Sequence, residues 1–148
     1  MKKNEMLEAI ALAKETHQRQ MDKIKQIIKG KDVEEPTALG KMECECGQWF
    51  YSNKDTMTQI LGHQLFERLD KIHEQWHKDY ARVYQIHQKL QKKKTSLLSK
   101  VFNGSISSLD ADKLKLYYKE LSQITDDMFR EADTALRRVA ALPDSKFK

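Results

Sequence analysis

Residues 73 to 77 read HEQWH and fit H-E-x-x-H, a pattern that puts two imidazoles on one side of a helix. Histidines four apart lie about 6 Å apart along the axis and about 40° apart around it, so His73 and His77 can reach one metal ion. The pattern signals a metal before it signals an enzyme. A zinc protease also needs a third protein ligand and an open position for water. The extended motif would place Gly at position 80 and His at 83, where this chain has Tyr80 and Val83. His87 stands about 15 Å beyond His77 on the same helix, and His63 is as remote on the other side. No β-alternation exists to build a sheet edge for a peptide substrate, and there is no Gly-rich phosphate loop. The chain is therefore not read as an enzyme. The remaining metal-ligand types are His17 and the two cysteines of ECECG, Cys44 and Cys46.

These residues must be positioned by helices. With 148 residues, 39% hydrophobic and 33% charged but only 5 Gly and 2 Pro, the composition favours one domain of long amphipathic helices. Breakers at Gly30 and Pro36, Gly40, Ser52 and Asn53, Gly62, Asn103 and Gly104, and Pro143 divide the chain. Over residues 4–29, Met6, Ile10, Ala13, His17, Met21, Ile24 and Ile28 step by three or four, so His17 falls inside an apolar stripe. A shorter helix is expected over 39–51 with Cys44, Gly47 and Trp49. A long one is expected over 62–101, its stripe of Leu65, Leu69, Ile72, Trp76, Tyr80, Val83 and Leu90 flanked by His73 and His77. After NGS, Ser107 or Ser108 can cap a last helix carrying Leu114, Tyr117, Leu121, Ile124, Met128, Ala132, Ala135 and Val139 inward. The expected fold is all-α: an antiparallel four-helix bundle over residues 1–142, three long helices plus a short Cys-bearing one, with 143–148 as a C-terminal tail or linker.

The composition also narrows the partners. The net charge of +5 comes largely from Lys89, Lys92, Lys93, Lys94 and Lys100, which lack interleaved aromatics and read as a solvated helix face rather than a nucleic-acid surface. No run of eighteen apolar residues exists, and acids interrupt the N-terminal MKKNEMLEAIALAKE, so neither membrane insertion nor a signal peptide is expected. A cytoplasmic protein is the expectation. Two cysteines this close cannot staple a fold, which points to metal or redox chemistry in a reducing compartment.

Three inward histidines and a cysteine come from three helices, and one ion held by His17, Cys44, His73 and His77 would pin those helices together as a closed tetrahedral zinc site. At this point the chain resembles a known family. Cys44-Glu45-Cys46-Gly47-Gln48-Trp49 fits C-x-x-G-x-W, preceded by a first-helix histidine and followed by H-x-x-x-H in a long helix. That order is similar to the bacterial chemoreceptor zinc-binding domain, CZB, over about Ala9 to Tyr80. The resemblance implies zinc as cofactor and His17, Cys44, His73 and His77 as its ligands. It also implies attachment to chemotaxis receptors or diguanylate cyclases, or a small separate protein, and frequent homodimers.

The chain departs from that family at Cys46, where a bulky apolar residue is usual, at Gln48, where Lys or Arg is usual, and at Gln18-Arg19-Gln20-Met21, which lacks an aromatic residue. If both cysteines are helical they point about 200° apart, so Gly47 and Trp49 set the register in favour of Cys44. Cys46 then reads as a small apolar filler, and an internal disulfide is blocked unless the turn unwinds.

The expected function is a zinc-responsive regulatory domain in which zinc occupancy or oxidation of Cys44 changes helix packing. Two alternatives remain. One is a purely structural zinc-stapled bundle. The other is a hemerythrin-like di-iron bundle, which would need several inward carboxylates, usually as Glu-x-x-His, and these are read as lacking around His17, His73 and His77.

Overall fold

The structure, a computed structural model, describes residues 1–29, 40–95 and 105–147. Five α-helices lie within them and no strand does: α1 (Lys3–Ile28), α2 (Glu45–Ser52), α3 (Lys54–Leu61), α4 (His63–Thr95) and α5 (Ser105–Ala141). The turns expected around 30–36 and 103–104, and the end of the long helix at Val101, lie outside the described residues.

The helices run as the apolar stripes require. Lys14 on α1 pairs with Asp133 on α5 at 2.5 Å, and Lys3 donates to the Leu142 carbonyl at 2.7 Å, so α1 and α5 are antiparallel. Arg68 meets Glu131 and Arg82 meets Glu120, which makes α4 antiparallel to α5 as well. Hence α1 and α4 run parallel, both packed against α5. The fourth side is filled by two short helices rather than one. Residues 54–61, between the breakers at Asn53 and Gly62, form α3. Asn53 ends α2 by donating from Nδ2 to the Trp49 carbonyl at 2.8 Å, and Gly62, at φ +80°, turns the chain from α3 into α4. Only glycine takes that backbone angle without strain.

Two further boundaries differ from expectation. α5 begins at Ser105, so Ser107 and Ser108 lie inside it. α2 begins at Glu45, which leaves Cys44 as its extended N-cap, with φ −76° and ψ 147°. At the other end the chain folds back, because Phe147 packs against the core after a short 3-10 turn over Asp144–Lys146.

The core falls into two apolar clusters. One gathers Met6, Ile10, Phe50, Met57, Leu61, Leu65, Phe66, Ala135 and Val139 at the end covered by α2 and α3. The other gathers Met21, Ile24, Trp76, Tyr80, Val83, Leu114 and Leu121 at the end built from the three long helices. His17 lies between the two sets along α1, and His73 lies between them along α4. A polar layer thus separates two oily ones, where the broken fourth helix begins.

Candidate metal centre

Three buried imidazoles make up most of that layer: His17, His73 and His77 are each no more than 6% exposed. Unpaired polar groups of this kind are costly to bury, so their placement needs a compensating partner. His17 is oriented by its own helix, where Nδ1 donates to the Ala13 carbonyl at 2.6 Å, which leaves Nε2 as the nitrogen available to the cluster. Nε2 of His73 lies 3.0 Å from Nε2 of His77 and 3.4 Å from Sγ of Cys44. The other nitrogen of His77, Nδ1, is buried without a hydrogen-bond partner.

Cys44 reaches this layer because it is not helical. Its ψ of 147° turns Cβ roughly half a turn from the helical direction, and the sulfur folds back over the first turn of α2. There it accepts from the Gly47 N–H at 3.1 Å. Gly47 permits the fold-back: a Cβ at that position would stand 1.6 Å from the Lys41 carbonyl oxygen. The C-x-x-G spacing thus has a steric cause as well as a hydrogen-bonding one.

The loop bearing Cys44 is clamped to α4 by a charged pair. Lys41 donates to Asp70 at 2.8 Å, and the Tyr51 hydroxyl donates to the same carboxylate oxygen at 2.6 Å while its ring stacks on His73. Burial would raise the Asp70 pKa, but these hydrogen bonds and the Lys41 charge hold it below the usual carboxylate range. Burial, with the hydrogen bond to Asp70, pushes the Tyr51 hydroxyl up, so it stays a donor. Trp76, the fourth residue of HEQWH, walls the far side. Its ring lies 4.6 Å from His17 and 4.9 Å from His77, and its Nε1 donates to Thr125 at 2.9 Å.

Cys44 and His73 are poised in the protonation states that a cation requires. The neighbouring Cys46, His17, His73 and His77 push the Cys44 thiol far down, against the effect of burial. Burial holds His73 below its ordinary value, helped by the neighbouring histidines and opposed by Cys44. A thiolate beside neutral imidazoles is the set that binds zinc.

One ligand atom from each of His17, Cys44, His73 and His77 lies within 4.8 Å of all the others. A tetrahedral ion with ordinary bond lengths to nitrogen and sulfur has N···N edges of about 3.3 Å and N···S edges of about 3.6 Å. The His73–His77 and His73–Cys44 separations are near those edges, so the donor set fits zinc. The structure brings together the four residues singled out in the sequence. It leaves out His63, which is exposed and pairs with Glu67 at 3.1 Å.

One sequence reading is corrected. Glu74 stands three residues before His77, so a Glu-x-x-His is present after all. Its carboxylate faces Lys41 and Lys78 at 3.8 and 3.6 Å rather than the histidines, because α4 turns it toward the surface. Among the described residues no carboxylate joins the cluster, which leaves a di-iron site without its usual ligands.

Sequence reasoning missed Lys41, Tyr51 and Asp70. Their link is a tertiary contact between a loop and a distant helix, and no periodicity reports it. It also misplaced the thiols. Cys44 stands outside the helix, and its sulfur lies over the first turn of α2, which carries Cys46, instead of following the helical direction.

The family described as chemoreceptor zinc-binding domain matches residues 17–90, half of the chain, from the first histidine through the His pair. Neither the curated proteins nor the solved structures give a match.

Proposed function

The chain belongs to the chemoreceptor zinc-binding domain family and is a zinc-binding helical domain; from that premise we propose that His17, Cys44, His73 and His77 are its zinc ligands and that the site is a sensor. The carrying observation is the meeting of four suitable donor atoms, from α1, α4 and the cap of α2, within 4.8 Å. Zinc, when bound, supplies positive charge at the junction of two apolar clusters. The chain's own residues do the rest. His17 is held to its helix by the Ala13 carbonyl, His73 and His77 by their spacing, and Cys44 by Gly47 and the Lys41 loop.

Four protein donors would close the coordination sphere, so such a site leaves no open position for substrate chemistry. Its influence is on helix packing. Cys44 is the weak point, since a thiolate is the donor most open to oxidants. It lines a solvent-open cleft of about 590 Å³ together with His17, Cys46, Trp76, His77 and Tyr80. Loss of the thiolate would release the loop and α2 from α4, and the altered packing would pass to a chemotaxis or cyclic-di-GMP output. The domain acts in the cytoplasm, and no described helix is long and apolar enough to cross a membrane. Leu12, Met42, Leu109 and Leu116, each more than half exposed, supply apolar surface for a homodimer.

Zinc content and affinity test this reading, together with the change in solution shape on adding peroxide. About one zinc per chain is expected, with affinity and shape response both lost in Cys44→Ala. If Cys44→Ala keeps the affinity and the response, the sensor reading fails. A bundle whose zinc can be removed only by unfolding it would favour the purely structural alternative.

A further inference from the structure

The family resemblance gives Cys46 no role, since a bulky apolar residue is usual at its position. The structure gives it a partner. Cys46 is half-buried in the first turn of α2, two residues on from Cys44. Both cysteines line the same open cleft, so an oxidant that reaches one reaches the other's immediate surroundings. The single helical residue between them, Glu45, sets their Cα atoms about 5.4 Å apart by helix geometry. That distance lies within the range a disulfide spans. A pair of ordinary helical cysteines would fail on direction, but Cys44 is extended, and its sulfur lies over the first turn of α2, the turn that carries Cys46, within 3.1 Å of the Gly47 nitrogen.

We propose that Cys46 is the resolving cysteine of Cys44. The proposal rests on Cys44 being the oxidised residue, and its chemistry does not need the metal. In the first step the Cys44 thiolate attacks hydrogen peroxide: one S–O bond forms, the O–O bond breaks, and hydroxide leaves, giving a sulfenic acid. In the second, the Cys46 sulfur attacks that sulfur. The S–O bond breaks, the Cys46 proton leaves with the departing oxygen as water, and a Cys44–Cys46 disulfide remains. Two electrons pass from the two sulfurs to one peroxide. The product takes Cys44 out of the donor set and stops oxidation short of the irreversible sulfinic acid. A disulfide across one residue closes a small strained ring, and strained, exposed disulfides are the readily reduced, regulatory ones. The departure at Cys46 therefore makes oxidation of this site reversible by a thiol reductant.

The test uses the full chain, as purified and after chelation, treated with hydrogen peroxide and then with iodoacetamide. Trypsin releases residues 42–54, MECECGQWFYSNK, which hold both cysteines and Met42. The expected peptide is about 2 Da lighter than the reduced one, carries no alkyl group on either cysteine, and regains two alkylation sites after dithiothreitol. Fragment ions separate this from oxygen added at Met42. In Cys46→Ala and Cys46→Ser, Cys44 should gain two or three oxygens that dithiothreitol does not remove. Zinc should then fail to rebind, whereas the reduced wild type rebinds it. A wild-type peptide with sulfinic Cys44 and alkylated Cys46 would overturn the pairing and leave the zinc ligands standing. So would disulfide-linked dimers on a non-reducing gel. Alkylation of both cysteines, with zinc retained, would overturn the pairing and the redox part of the sensor reading together. A light, reducible peptide from a chain that binds no zinc would support the pairing and sink the zinc ligands.

Discussion

Gly47 lies against the carbonyl of Lys41 so closely that a methyl group on it would stand 1.6 Å from that oxygen. The contact lets the Cys44 loop close onto α2, and the Gly47 amide then meets the Cys44 sulfur. Gly47→Ala must push the loop away, and the obstacle is backbone, which cannot rotate aside. A cost of about 1–3 kcal/mol is expected in the metal-free protein, as for other overpacked sites. Because Cys44 moves with the loop, zinc affinity should fall by about tenfold or more. Denaturant unfolding in chelator reads the first effect and a competition titration with a coloured chelator reads the second.

The histidines can be told apart by substitution. His17→Gln, His73→Gln and His77→Gln should each weaken zinc binding by more than about a hundredfold, since even the loss of a ligand's supporting partner costs ten- to a hundredfold. His63→Gln should leave affinity within about twofold, as an exposed side chain away from the cluster. Equal losses in all four, or in none, would contradict the ligand set.

Much of this site was legible in the chain because helices repeat. His17 inside the Met6–Ile28 stripe and His73 and His77 beside the Leu65–Leu90 stripe follow from a period of 3.6, and the structure buries all three. α3 was harder to read: eight residues between Asn53 and Gly62 are too short to show a convincing period, and its neighbours on α4 and α5 hold it in place. Cys44 shows the opposite failure. The periodic reading extended a helix through it from residue 39, whereas the sulfur that caps the Gly47 amide makes Cys44 the N-cap and places the start of α2 at Glu45. The Lys41–Asp70–Tyr51 link spans up to 29 residues of sequence and has no local signature.

That link carries a pH dependence. The carboxyl of Asp70 titrates lower in the folded protein than in the unfolded chain, because Lys41 and Tyr51 hold the charged form. Its contribution is therefore complete above the unfolded value, about 3.9, and is lost as pH falls through the lowered folded value. In chelator, so that zinc ligands do not enter, wild type minus Asp70→Asn stability should be constant near neutrality and shrink below about pH 4. A difference that grows toward low pH would show that Asp70 is not held in its charged form.

Metal removal tests how much of the bundle stands without the ion. Two apolar clusters flank the histidine layer, each with residues from α1, α4 and α5, so the long helices keep substantial burial when the layer between them is unpinned. What the metal adds is set by mass action: free zinc at about a thousand times its dissociation constant stabilises the fold by about 4 kcal/mol. For a chain of this size that corresponds to roughly 8–16 °C in the melting temperature. Circular dichroism in excess chelator should therefore show a helical, cooperatively melting protein with a lowered midpoint. The fraying should concentrate where Cys44 is released, so amide exchange should rise most in α2 and the loop before it, with α5 nearly unchanged. Collapse of all helices on chelation would mean that the apolar clusters cannot hold alone and that the metal is a structural staple, because a domain that unfolds on losing its ion has no second packing to report.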